Sequence, residues 1–210
     1  MSNTTTLFDL LHYNNQRIAQ FKTTRIMQLL EQGVLNLEGK KEKFLAALLI
    51  WSHYFQRTLY ARQAFCFEEP FETIFREHLA EEFGHDLLLQ QEHNDDSIIE
   101  DAHIDAAGTW FLNSMLSSSN LEKLIIVNLV LESAGDVFYT TVFPFFQANM
   151  KKKGGFFQIH AQADAHHSQI GMDLIKDQSA VTYSRLISVA GQSWDMLEII
   201  FARIADHLQA

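Results

Sequence analysis

Apolar residues recur along this chain at spacings of three and four, the period of a helix with one buried face. The pattern predicts helices over roughly 5–32, 38–66, 70–93, 98–117, 120–150, 155–177 and 181–208. Breaks are expected at Gly33, Glu69-Pro70, Asn94-Asp95-Asp96, Ser117–Ser119, Gly154-Gly155 and near Gln178-Ser179. Pro70 suits a first helical residue. Lys151, Lys152 and Lys153 place positive charge where a helix C-terminus favours it, and the glycine pair then stops the helix. With 2 Pro and 9 Gly in 210 residues, the chain lacks the punctuation a sheet protein needs. The expected class is all-α, a single seven-helix bundle over 1–210.

One segment departs from the one-sided pattern. Residues 121–146 are apolar almost all the way round, as in a helix at the centre of a bundle. Pro144 predicts a kink or an early end there. Within this segment stands Glu132, a carboxylate surrounded by Leu129, Val130, Leu131 and Val137. Desolvation there demands a partner, a raised pKa or a bound metal.

Composition narrows the function classes. A single Cys, Cys66, excludes a disulfide scaffold and a cysteine zinc site. A net charge of -10 argues against a nucleic-acid surface. No long apolar run lacks polar interruption, so no membrane span is expected, and the first residues do not read as a signal peptide. The expected location is cytoplasmic. Ten His among 210 residues is a surplus, and beside acidic residues it raises the prospect of metal or proton chemistry.

Two segments carry that chemistry besides Glu132. In the stretch 76–86, Glu82 and His85 lie three apart, neighbours on one helical face. Inward Glu-x-x-His pairs hold di-iron and di-manganese centres in helical bundles, although a segment this rich in Glu and His yields such a pair readily by accident. In the stretch 160–167, His160, Asp164 and His167 stand at i, i+4 and i+7 and share one face, with Ala161, Ala163 and Ala165 between them. Such a triplet is expected by chance only about 0.03 times in a chain of this composition. The plain alternative is a polar stripe facing solvent. Together Glu82, His85, Glu132, His160, Asp164 and His167 supply three carboxylates and three imidazoles, a thiolate-free set that suits iron or manganese. One closed zinc site needs only four ligands, so the count favours two metals.

At these residues the chain resembles the haem-oxygenase-like di-iron oxidases and oxygenases, fold relatives of haem oxygenase, TenA (thiaminase II) and pyrroloquinoline-quinone synthase. The family pattern is Glu and His on one core helix, Glu on a second, and His-x-x-x-Asp-x-x-His on a third. In some members the first Glu precedes its His by seven residues, and here that position is His78. The chain therefore resembles the Glu-x-x-His branch, with Glu81 an alternative to Glu82. The resemblance implies two Fe(II), or Mn, and O2-dependent oxidation of a small organic substrate, acyl or amino-acid-like, by a homodimer.

Other aromatic and imidazole groups read more plainly. Tyr54, Tyr60, His53 and Tyr139 border the core, where each reads as an ordinary core residue. Trp51, Phe55 and Phe138 read as packing, and His166 as solvent-facing. Two rivals remain: a TenA-type or cofactorless enzyme, for which Cys66 is the only thiol but in no matching context, and a non-enzymatic helical binding protein. A haem oxygenase proper would use a proximal His such as His12, leaving the triplet unexplained.

Overall fold

Local chemistry sets where each helix starts and stops in the computed structural model, which describes residues 4–93, 99–149 and 155–210. The described residues form helices and connections without a strand. The expected breaks at 94–96 and the lysines 151–153 with Gly154 lie outside them.

Helix α1 (Leu7–Phe21) opens on a capping box: the Thr6 backbone N–H and hydroxyl both donate to Asp9, at 2.8 and 2.7 Å. The expected helix over 5–32 is two helices, because Thr23 and Thr24 turn their hydroxyls back onto the carbonyls of Gln20 and Phe21. Those bonds compete with helix continuation, and α2 (Arg25–Glu31) begins afresh. Gly33 adopts a left-handed φ of 73° and ends it.

Helix α3 (Lys40–Ala64) is followed by α4 (Phe71–Glu82) and α5 (His85–His93). The single helix expected over 70–93 is thus broken: Phe83 is extended and Gly84 takes φ 84°. Pro70 sits just before α4 rather than as its first residue. Asp101 caps α6 (Ala102–Ser117) through the N–H groups of His103 and Ile104.

The apolar segment is one continuous helical run, α7 (Asn120–Leu124), a π-helical stretch Ile125–Glu132, and α8 (Ser133–Asn149). It does not end early: α8 passes through Pro144 to Asn149. Every residue of the π-helical stretch is buried. By length and composition this helix could cross a membrane, but 67% of its most apolar window is packed inside the protein. It is a core helix.

Helix α9 (Phe156–His167) stops ten residues short of the expected 177; a turn at Gly171 and a 3-10 turn, Met172–Ile175, lead to α10 (Ala180–Gln209). Helices α8, α9 and α10 pack against the π-helical stretch. Asn14 links three of these layers, donating to the Leu129 carbonyl at 3.2 Å and accepting from the Trp194 indole at 2.8 Å.

Candidate metal centre

Helix α9 carries His160, Asp164 and His167 inward in successive turns, all buried, while His166 faces solvent. Its first turn is anchored by Glu92 of α5, which accepts from the Phe156 N–H at 2.7 Å. Opposite it lie the end of α4 and the start of α5. Glu82 Oε2 stands 2.9 Å from His85 Nδ1, a contact made across the helix break rather than along one continuous face. Glu132 closes the π-helical stretch from a third direction. π-helical turns recur at functional sites because they re-aim side chains that a regular helix would leave elsewhere.

All six residues singled out by sequence therefore meet. His160 Nε2 lies 3.4 Å from Glu82 Oε2, and His167 Nδ1 lies 3.1 Å from Glu82 Oε1 and 3.6 Å from Glu132 Oε2. Glu82, His85 and His160 can bring one donor atom each within 4.8 Å of one another, as can Glu132, Asp164 and His167. A third group, His78, Glu82 and His167, overlaps both of these, so the three groups share one buried cluster of donors.

Burial separates Glu82 from Glu81. Glu82 is 1% exposed and inside the cluster. Glu81 is exposed and meets His167 from outside, its Oε2 2.9 Å from Nε2. A carboxylate on the outer nitrogen directs the inner nitrogen of an imidazole toward a metal. His160 is oriented by backbone instead: Nδ1 donates to the Phe156 carbonyl at 2.9 Å, which turns Nε2 toward Glu82.

Opposing terms set the charge states. Burial pushes the Glu82 carboxyl up, but contacts from His160, His167 and His85 hold it well below its usual range. Burial also raises Glu132, and His78 and His167 bring it below its ordinary value. Asp164 goes the other way, driven well above the carboxylate range by burial and by the neighbouring charge of Glu132. Against burial, Glu82 and Asp164 push His160 up to about 9. Against the same penalty, Glu132 and Glu82 push His167 up to about 11. The metal-free cluster holds protons in place of cations.

The donor set passes a direct test of fit. Glu82 Oε1, Glu132 Oε1, Asp164 Oδ1, His167 Nδ1 and His78 Nε2 are buried without an aligned hydrogen-bond partner among the described residues. Buried polar atoms left unpaired cost about 1–3 kcal/mol each, and concentrating them at one point is the mark of an absent ligand.

Beside the cluster opens a cavity of about 40 Å³. Its apolar walls include Trp51, Phe55, Phe138 and Phe201, so these rings line a pocket as well as packing the core. Tyr139 also lines it, buried with its ring 4.6 Å from His160, while Tyr60 is exposed and His53 and Tyr54 are half-buried. Cys66 is buried but not part of the lining, and His12 lies exposed on α1.

Four further residues were not read from the sequence as part of the site. His78 is buried with Nε2 3.2 Å from Glu132 Oε1; its place one turn before Glu82 was the available signal. Arg62 and Asn128, wholly buried behind it, gave none. Gly135 lets α8 approach α9, since a Cβ there would fall 2.4 Å from Asp164 Oδ2.

No protein-family model matches the chain. Its fold is that of the TenA homologues, the haem-oxygenase-like all-helical arrangement. A TenA homologue from Pseudomonas syringae pv. tomato DC3000 superposes with a TM-score of 0.73 at 14% identity, over 95% of this chain and 92% of that one. A TenA homologue from Pyrococcus furiosus gives 0.70 at 16% identity, over 94% and 98%. In sequence the chain is 31% identical, over 201 residues and 95% of both chains, to the uncharacterized protein RP592 of Rickettsia prowazekii. It belongs to the same family as that protein.

Proposed function

We propose that this protein is an O2-dependent oxidoreductase that holds two iron ions, with manganese as the alternative metal, and acts on a small organic molecule. The observation that carries the reading is the concentration of unpaired carboxylate and imidazole atoms at one buried point, on Glu82, Glu132, Asp164 and His167. Glu82, His85, Glu132, His160, Asp164 and His167 are the proposed ligands. Ferrous iron bound there supplies the electrons for activating O2.

The rest of the chemistry falls to the chain. Trp51, Phe55, Phe138 and Phe201 hold an apolar substrate against the cluster and exclude bulk water. Glu81 and the Phe156 carbonyl keep His167 and His160 oriented. Gln56 accepts from the Gly84 N–H at 2.9 Å and so fixes the turn that joins Glu82 to His85. A cytoplasmic location belongs to the same proposal.

The fold supports a second reading, an enzyme of the TenA type that works without metal. Its cysteine chemistry would fall to Cys66, which lies outside the cavity lining. Anaerobic titration with Fe(II), followed by O2, separates the two. Retention of about two irons per chain with O2 uptake supports the oxidoreductase. Absence of retained iron, together with metal-independent hydrolysis lost in Cys66→Ser, would replace it with the TenA-type enzyme.

A further inference from the structure

Arg62 is the unexpected group beside the proposed centre. It is 0% exposed, on α3, and makes no direct ion pair with a carboxylate among the described residues. Its Nη1 donates to Asn128 Oδ1 at 2.9 Å, its Nη2 donates to His78 Nδ1 at 2.8 Å, and its guanidinium lies 4.4 Å from the centre of the Phe75 ring. A guanidinium has donors and no acceptor, so His78 Nδ1 must accept. Asn128 repeats the instruction. Its amide orientation is set twice, by the oxygen that accepts from Arg62 and by the nitrogen that donates to the His167 carbonyl at 3.0 Å. That same Nδ2 stands 3.4 Å from His78 Nδ1.

A neutral imidazole that accepts at Nδ1 carries its proton on Nε2. Nε2 stands 3.2 Å from Glu132 Oε1, although neither atom has an aligned hydrogen-bond partner among the described residues. We infer that His78 is a positioning residue and not a metal ligand: Arg62 and Asn128 lock its ring with Nδ1 accepting, so that Nε2 keeps its proton, directed at the Glu132 carboxylate, and cannot ligate a metal. The inference rests on the two-metal reading of the site and adds a selection to it, since His78 falls within donor distance of Glu82 and His167 and by proximity alone would count as a seventh ligand.

The lock also holds a buried cation beside a site proposed to bind cations: Arg62 turns its two terminal nitrogens to Asn128 and His78. Asn128 and Glu132 both lie on the π-helical stretch, so one irregular turn supplies the latch and the ligand it serves.

The ring nitrogens of His78 can be observed directly. Histidine-¹⁵N correlation spectra of the metal-free chain should contain one neutral ring protonated on Nε2 and bare on Nδ1, identified by its disappearance in His78→Gln, and Zn(II) loading should leave that tautomer unchanged. A proton on Nδ1, or a metal-bound nitrogen on His78 in the Zn(II) form, overturns the inference. Metal counting gives an independent reading. His78→Gln keeps a donor toward Glu132 and should retain the wild-type number of ions, whereas His78→Leu should bind them on the order of tenfold more weakly. Loss of a whole equivalent in His78→Gln also overturns it. If the wild-type chain retains no metal, the two-metal reading fails by itself, and the tautomer in the metal-free chain still decides the lock.

Discussion

Two buried clusters in this protein are built from the same side-chain types and have opposite character. At one end of α10, Asp101 is 4% exposed and surrounded by donors: the N–H groups of His103 and Ile104 at 2.9 and 3.1 Å, Arg203 Nε at 2.9 Å and His207 Nε2 at 2.9 Å. Burial raises its carboxyl, but those contacts hold it down at about 2. In the core, Asp164 is 2% exposed and its Oδ1 has no aligned partner. Burial and Glu132 drive it far in the other direction. A carboxylate that has satisfied its lone pairs holds two helices together; one left without an aligned partner among imidazoles keeps a donor atom that a ligand can use.

The sharpest way to break that comparison is the same substitution at both positions. Asp164→Asn should remove at least one equivalent of bound metal. It should also stabilise the metal-free chain by about 1 kcal/mol, because it deletes a group that the fold holds in its unfavourable state. Asp101→Asn should do the reverse, leaving metal content unchanged and costing about 1–3 kcal/mol through lost charged hydrogen bonds. Metal analysis and denaturant melts of the chelated proteins report both. The contribution of Asp101 is present at neutral pH and above an unfolded-state pKa of about 4, and disappears as pH falls toward its folded value. Equal destabilisation by the two variants would mean that the core cluster is structural.

The sequence reveals the two clusters unequally, for a physical reason. His160, Asp164 and His167 are legible because one regular helix converts their spacing into a shared face. Glu132 is legible because it closes the apolar run Leu129, Val130 and Leu131. Glu82 and His85 are found through a rule that does not operate here, since Phe83 and Gly84 break the helix between them. The outcome survives because the turn also brings the two side chains together. Arg62, Asn128 and Gly135 were invisible: their roles depend on which helices touch, and nothing in local spacing encodes that. The all-helical class follows from periodicity, whereas the breaks after Phe21 and Glu82 come from side-chain hydrogen bonds and one left-handed glycine, which hydrophobic patterning does not record.

Proton competition offers a second contrast between the clusters. In the metal-free core His160 sits at about 9 and His167 at about 11, so both are protonated at neutral pH. A metal can take those nitrogens only by displacing their protons. Raising the pH therefore favours filling: the two imidazole protons alone should make overall affinity climb about 100-fold per pH unit between pH 6 and 8, and release of the Asp164 proton steepens it further. Above about 9 His160 no longer holds its proton and the slope should drop by about tenfold per unit. Metal-buffered titrations across that range, with proton release followed in weak buffer, measure the slope. A pH-independent affinity would remove His160 and His167 from the ligand set.

The smallest effect belongs to the residue that links the core cluster to solvent. Glu81 is exposed, yet its Oε2 lies 2.9 Å from His167 Nε2. An exposed ion pair by itself contributes little, typically about 0–1 kcal/mol, and if this contact were only that, Glu81→Ala would leave metal binding unchanged. As the outer partner of a proposed ligand it also turns Nδ1 toward Glu82 and Glu132. Its loss should then weaken metal binding about tenfold while leaving the melt of the metal-free chain nearly unmoved. Glu81→Gln still accepts a hydrogen bond from Nε2 but lacks the charge, and should fall between the two. The ordering wild type, Gln, Ala in affinity, without a matching order in stability, distinguishes orientation from simple surface pairing. It would place the boundary of the functional cluster one residue outside the buried core.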